Sequence, residues 1–122
     1  MKGHINIPSP ISEVSTSWTR QYGIQLFLKR DDLIHPIISG NKWRKLSGIL
    51  AKYHKNSYDY ITTYGGAYSN HLLATAAVCS IQKTPCKAIV RGESPAELSP
   101  ILKMCRMYGM ELEFISRSTY QK

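Results

Sequence analysis

Acidic residues are scarce in this chain of 122. Eight Asp and Glu stand against sixteen Lys and Arg, a net charge of +8 with histidine neutral. Such a balance favours anionic partners, from nucleic acid and lipid to phosphorylated or carboxylated small molecules. No block of five or six cations occurs, however, and polybasic patches usually cluster, so no nucleic-acid partner is expected. Cysteine is sparse as well. Cys79, Cys86 and Cys105 form an odd set with no C-x-x-C pair, which argues against a disulfide framework and a structural zinc site. Reduced thiols in a cytosolic protein are the simplest account. No H-E-x-x-H is present and His4, His35, His54 and His71 are scattered, so no metal is expected. G-x-x-x-x-G-K-[ST] and G-x-G-x-x-G, the phosphate loops of nucleotide enzymes, are both missing. No apolar run approaches the roughly 20 residues of a membrane helix. The opening "MKGHINIPSP" lacks the apolar stretch of a secretory signal. The expectation is a soluble, cytoplasmic protein without membrane contact.

What is present suffices for a core: 43% of residues are hydrophobic, and the length suits one domain. Residues 1–20, with Pro8 and Pro10 among many Ser and Thr, read as an irregular lead-in. "IQLFLKR" at 24–30 alternates like a strand. From Lys42, Trp43, Leu46, Ile49, Leu50 and Tyr53 fall at helical spacing, with Asn41 as the expected N-cap. "DYITTY" at 59–64 reads as a strand ended by Gly65-Gly66, and a helix opens at Ser69 through "LLATAAVCS". "KAIV" at 87–90 is a third strand. The next helix has two candidate starts, Ser94-Pro95 and Ser99-Pro100, because both put Pro at a first helical position. It should stop at Gly109, before a fourth strand at 111–115, "ELEFI". This β-α-β-α-β-α-β order predicts an α/β fold: an open parallel sheet with helices on both faces. Such sheets bind ligands beyond the carboxyl ends of their strands.

Two loops stand at those ends, "SGNK" at 39–42 and "GGAYSNH" at 65–71. In the second, the first N–H groups of the following helix lack internal partners and carry the positive end of its dipole. Two glycines would let a carboxylate or phosphate approach them closely. The plainer alternative is that Ser69 or Asn70 merely caps the helix and the glycines merely turn the chain. In the first loop, Lys42 is either a solvated cation or a nucleophile. In a first helical turn, beside Arg44 and Lys45, its ammonium form is disfavoured. A depressed pKa is what an amine needs to attack a carbonyl.

At these residues the chain resembles a known family. "LKRDDL" at 28–33, "SGNKWRKL" at 39–46, "TYGGAYSNH" at 63–71 and "GMELEFISR" at 109–117 are similar, in order, to pyridoxal-phosphate enzymes of the tryptophan-synthase-beta fold type. The closer match is the branch of aminocyclopropane-carboxylate deaminase and D-cysteine desulfhydrase. The resemblance implies that Lys42 bonds the aldehyde of pyridoxal 5'-phosphate as a Schiff base, and that Asn70 hydrogen-bonds the ring oxygen beside it. It places Ser69 at the substrate, binding its carboxylate or assisting proton transfer, with His71 lining the same loop. It implies a small amino-acid substrate and a dimer in the full-length enzyme. Tyr68 stands where the branch is expected to carry Gln, and is either a group near the ring or a packed aromatic.

The resemblance also implies an organisation: residues 1–40 as a segment joining a larger lobe, and 41–122 as the small α/β domain of a two-domain enzyme. The family's Gly/Thr-rich phosphate loop lies later in its chains, and nothing after residue 92 resembles it. The polypeptide is therefore expected to be an N-terminal portion that is inactive alone. A non-catalytic α/β module binding an anionic ligand or a partner chain is the alternative.

Overall fold

The computed structural model describes residues 4–121. The lead-in is more regular than its composition suggests. Strand β1 (Ile11–Val14) pairs antiparallel with β2 (Leu26–Lys29), and helix α1 (Ser17–Gln21) fills the connection. Thr16 starts α1 through a capping box: its hydroxyl accepts from Thr19 N–H while the Thr19 hydroxyl accepts from Thr16 N–H. The strand at 24–30 therefore exists, but it belongs to this separate two-stranded sheet. Among the described residues the parallel sheet has three strands rather than four.

Helix α2 (Asn41–Asn56) buries Leu46 and Leu50 and half-buries Trp43, one stripe of an amphipathic cylinder. Its N-cap is Gly40 and not Asn41, which is already helical. Gly40 has φ +61°, a left-handed conformation that glycine adopts without steric cost. Strand β3 (Ile61–Gly65), helix α3 (Asn70–Ile81), strand β4 (Cys86–Arg91), helix α4 (Pro100–Met107), strand β5 (Glu111–Ile115) and the short helix α5 (Arg117–Tyr120) complete the chain. Of the two candidate starts for α4, the structure uses the second. Ser99 caps it by accepting from Leu102 N–H, with Pro100 at the first helical position.

The parallel sheet runs β3-β4-β5 in chain order. Right-handed crossovers between strands laid down in one direction put each connecting helix on the same face. Burial agrees. Along β4, Cys86, Ala88 and Val90 are buried, while Lys87 and Ile89 are half-buried and Arg91 is exposed. The class and the parallel sheet are as expected: α3 packs on the face that buries Cys86, Ala88 and Val90, and the short helix α5 brings Tyr120 to the other. The opposite face holds the Lys87–Glu113 ion pair at 2.5 Å, and the Tyr120 ring meets Tyr64 edge-on at 6.3 Å.

The core lies under the buried face. Helix α3 packs against β3, β4, α2 and α4. Leu72 through Cys79 are buried without a break, as a helix surrounded on all sides requires. The small residues Ala74, Ala76 and Ala77 let its neighbours approach. All three cysteines are free and buried in this core.

Candidate active site

The site forms where α2 and α3 begin, at the carboxyl end of edge strand β3. Lys42, Ser39 and Asn70 line one hollow of about 240 Å³, closed by Pro36, Ile37 and Leu73. Lys42 and Asn70, 28 positions apart in the chain, are thereby brought together. Lys42 is half-buried, and the four ion pairs among the described residues leave it out. A larger hollow of about 540 Å³, lined by residues including Pro95, Leu98, Arg106 and Phe114, shares none of these groups.

Helix capping differs between the helix starts. Thr16, Ser99 and Ser116 each accept from a backbone N–H of the helix they start. Ser69, the N-cap of α3, makes no such bond, and Gly40 at the head of α2 has no side chain to make one. The two helices that open onto the Lys42 hollow are thus the two long ones left without a side-chain cap. Their first N–H groups stay available to an anion.

Gly65 is there for space. A Cβ on it would lie 2.8 Å from Leu72 Cγ and 3.0 Å from both Leu72 Cδ2 and Ser69 Oγ. The loop is pinned from outside by Ser99 Oγ, which donates to the carbonyl of Ala67, and closed within by Ser69 N–H, which donates to that of Gly66 at 3.1 Å.

His71, in the first turn of α3, shares a 2.8 Å hydrogen bond between its Nε2 and Thr63 Oγ1 on β3. Burial holds its pKa below the usual histidine value, and the charges of Lys42 and then Lys45 push the same way. The ring is therefore neutral near pH 7. Tyr68 is 77% exposed and packs into no core of the described residues. Ser69, His71 and Tyr68 border the hollow through the loop but do not line it. Arg44, offered by the sequence as a charge acting on Lys42, forms a two-bond pair with Asp31. That pairing, 13 residues apart, and the buried His35 were not legible as site features. His35 Nδ1 accepts from the N–H groups of Ile37 (3.1 Å) and Ile38 (3.2 Å), which fixes the loop walling the hollow. Burial lowers its pKa too.

No group of three or more His, Cys, Asp or Glu among the described residues is arranged to hold a metal ion. No described helix is long and apolar enough to cross a membrane.

No family model matches the chain. It is 33% identical over 104 residues to a bifunctional D-cysteine desulfhydrase/1-aminocyclopropane-1-carboxylate deaminase, mitochondrial, from Arabidopsis thaliana, covering 80% of this chain and 26% of that protein. The crystal structure of an ACC deaminase homologue superposes with TM-score 0.68 at 28% identity, over 92% of this chain and 34% of that one. A pyridoxal 5'-phosphate-dependent aspartate racemase superposes at 0.62 with 20% identity, over 90% of this chain and 33% of that one, a likeness of fold alone. The chain thus spans about a quarter to a third of the length of these relatives. Lys42 and Asn70 share a hollow at two uncapped helix ends, in a chain that over its own length resembles the aminocyclopropane-carboxylate deaminase and D-cysteine desulfhydrase branch of the pyridoxal-phosphate enzymes of tryptophan-synthase-beta fold type.

Proposed function

We propose that this chain supplies the lysine-bearing lobe of a pyridoxal-phosphate-dependent deaminase or desulfhydrase acting on a small amino acid. One observation carries the reading: an amine and a carboxamide, Lys42 and Asn70, converge on a single hollow where two helices begin without side-chain caps. The residues fit the cofactor. A half-buried amine outside any ion pair can bond an aldehyde, and the neighbouring amide can hydrogen-bond the ring substituent beside it.

When bound, pyridoxal phosphate supplies the electron sink for a carbon that loses a bond. The chain's own groups do the rest. Lys42 would hold the cofactor through its amine, and its Nζ, when unbonded, would serve as a base. Ser69 and the free N–H groups of α3 receive the substrate carboxylate. His71, neutral and bonded to Thr63, is placed to accept a proton at the loop's edge. Tyr68, open to solvent, stacks or donates at the mouth of the site.

Residues 1–40 belong, in this reading, with a larger lobe that holds the cofactor phosphate. The exposed apolar side chains of Ile11 (66%), Phe27 (56%) and Leu28 (51%) support that placement. A dimeric, cytoplasmic full-length enzyme is part of the same proposal. The chain alone then binds the cofactor weakly and turns over little. Visible-range absorbance after adding pyridoxal phosphate tests the assignment: the wild type gives a band that Lys42→Ala loses. An equal band in both sinks it.

A further inference from the structure

One carboxylate beside the site takes no part in the chemistry above. Asp31, in the tight turn after β2, accepts from Arg44 twice, Nη2 to Oδ1 at 2.9 Å and Nε to Oδ2 at 3.1 Å. Ser9 Oγ donates to Asp31 Oδ1 at 2.5 Å, and Lys29 Nζ donates to the Ser9 carbonyl at 2.5 Å. The backbone carbonyl of Asp31 accepts the N–H of Gly40 at 3.0 Å. One residue therefore fastens both the residue before α2 and a side chain in its first turn. Lys42 lies midway between those two anchors, Gly40 and Arg44.

The pair is too open to act mainly through stability. Its side chains are 51% (Arg44) and 29% (Asp31) exposed, and such surface pairs contribute little. What a two-bond guanidinium–carboxylate contact does supply is geometry, since the planar fork fixes direction as well as distance. Rotation of α2 about its axis would swing Lys42 off the hollow, and displacements near 1 Å matter greatly to reacting groups.

We infer that Asp31 is a positioning residue for Lys42: by clamping Gly40 and Arg44 it sets the rotation of the first turn of α2 and aims the amine at the hollow shared with Asn70. The inference rests on the proposed role of Lys42. Its test is selective labelling. The chain is exposed to pyridoxal phosphate, reduced with borohydride and digested, and modified peptides are quantified by mass spectrometry. The measured quantity is labelling at Lys42 relative to Lys52 and Lys55, exposed lysines of the same helix that serve as internal references. The wild-type ratio should be well above one. Asp31→Asn and Arg44→Lys should each lower it several-fold. Charge alone predicts otherwise. Asp31→Asn would leave an unpaired cation near Lys42 and raise labelling, whereas Arg44→Lys keeps the cation and loses only the fork. A rise in the first variant, or a wild-type ratio in the second, overturns the inference. Should Asp31→Asn fail to fold, Arg44→Lys decides alone, because it alters an exposed side chain. A wild-type ratio near one overturns the inference together with the reading it rests on; a high ratio unchanged in both variants overturns the inference alone.

Discussion

Replacing Gly65 by alanine tests the packing that shapes the glycine loop. The backbone at Gly65 lies outside the left-handed region, so alanine meets no conformational penalty there; the obstacle is space. The new methyl would sit 2.8 Å from Leu72 Cγ and 3.0 Å from Ser69 Oγ. Leu72 is fully buried and has nowhere to turn. Overpacking of this kind costs about 1–3 kcal/mol. Leu72→Ala alone should cost roughly 2–5 kcal/mol through lost burial and the cavity it leaves. In the double variant the alanine methyl occupies part of that cavity, so the combined loss should be at least about 1 kcal/mol smaller than the sum. Gly66→Ala is the control. Its methyl would meet only Arg91 Nη2, at 3.6 Å, and should change stability by less than about 0.5 kcal/mol. Urea unfolding of all four variants beside the wild type gives these numbers from the midpoints. Strict additivity of Gly65→Ala and Leu72→Ala would refute the steric account, as would a Gly65→Ala midpoint equal to that of the wild type.

Other consequences are as direct. The imidazole of His71 should titrate by NMR below the ordinary value of 6.5, and Lys42→Ala should move its midpoint upward; an unmoved midpoint would mean the two groups do not share one environment. Because the folded-state pKa values of His71 and His35 are both depressed, their contribution is fully present above pH 6.5 and is lost as pH falls through the folded values. Chemical unfolding between pH 7.5 and 5 should show that decline, reduced in His35→Gln. Ser99→Ala should destabilise by about 1–2 kcal/mol, since it removes both a helix cap and a bond to the glycine loop. Ser69→Ala should cost under about 0.5 kcal/mol, having no cap bond to lose; equal losses by thermal unfolding would contradict the capping argument. Light scattering should show the chain self-associating through its N-terminal apolar side chains, and Phe27→Glu should weaken that association.

Parts of the fold follow from signals a few residues long. Strand β5 occupies the span at 111–115 that its apolar alternation marks, and Pro100 with Ser99 starts α4 where one of two equivalent signals placed it. Gly109, φ +93°, lies just past the end of that helix as expected. The lead-in was harder to read. β1 is a strand because β2, some 15 residues on, completes its hydrogen bonds. The capping box that starts α1 uses Thr19 where the common pattern has Glu or Gln.

The residues proposed to act were marked locally: Lys42 two positions after Gly40 in the first turn of α2, and Asn70 at the start of α3, after the Gly65-Gly66 turn. The sequence alone therefore determined which groups are candidates, and its alternation of strands and helices determined the class of fold, because both depend on neighbours within a turn or two. Tertiary structure decided the remainder. The strand order β3-β4-β5 was set by packing, and Lys42 met Asn70 only because α2 docks against α3. Ser69 was left without a capping role, and Asp31 found Ser9 and Arg44 across gaps of 22 and 13 residues. Contacts of that separation form when whole elements pack, and no short pattern encodes them.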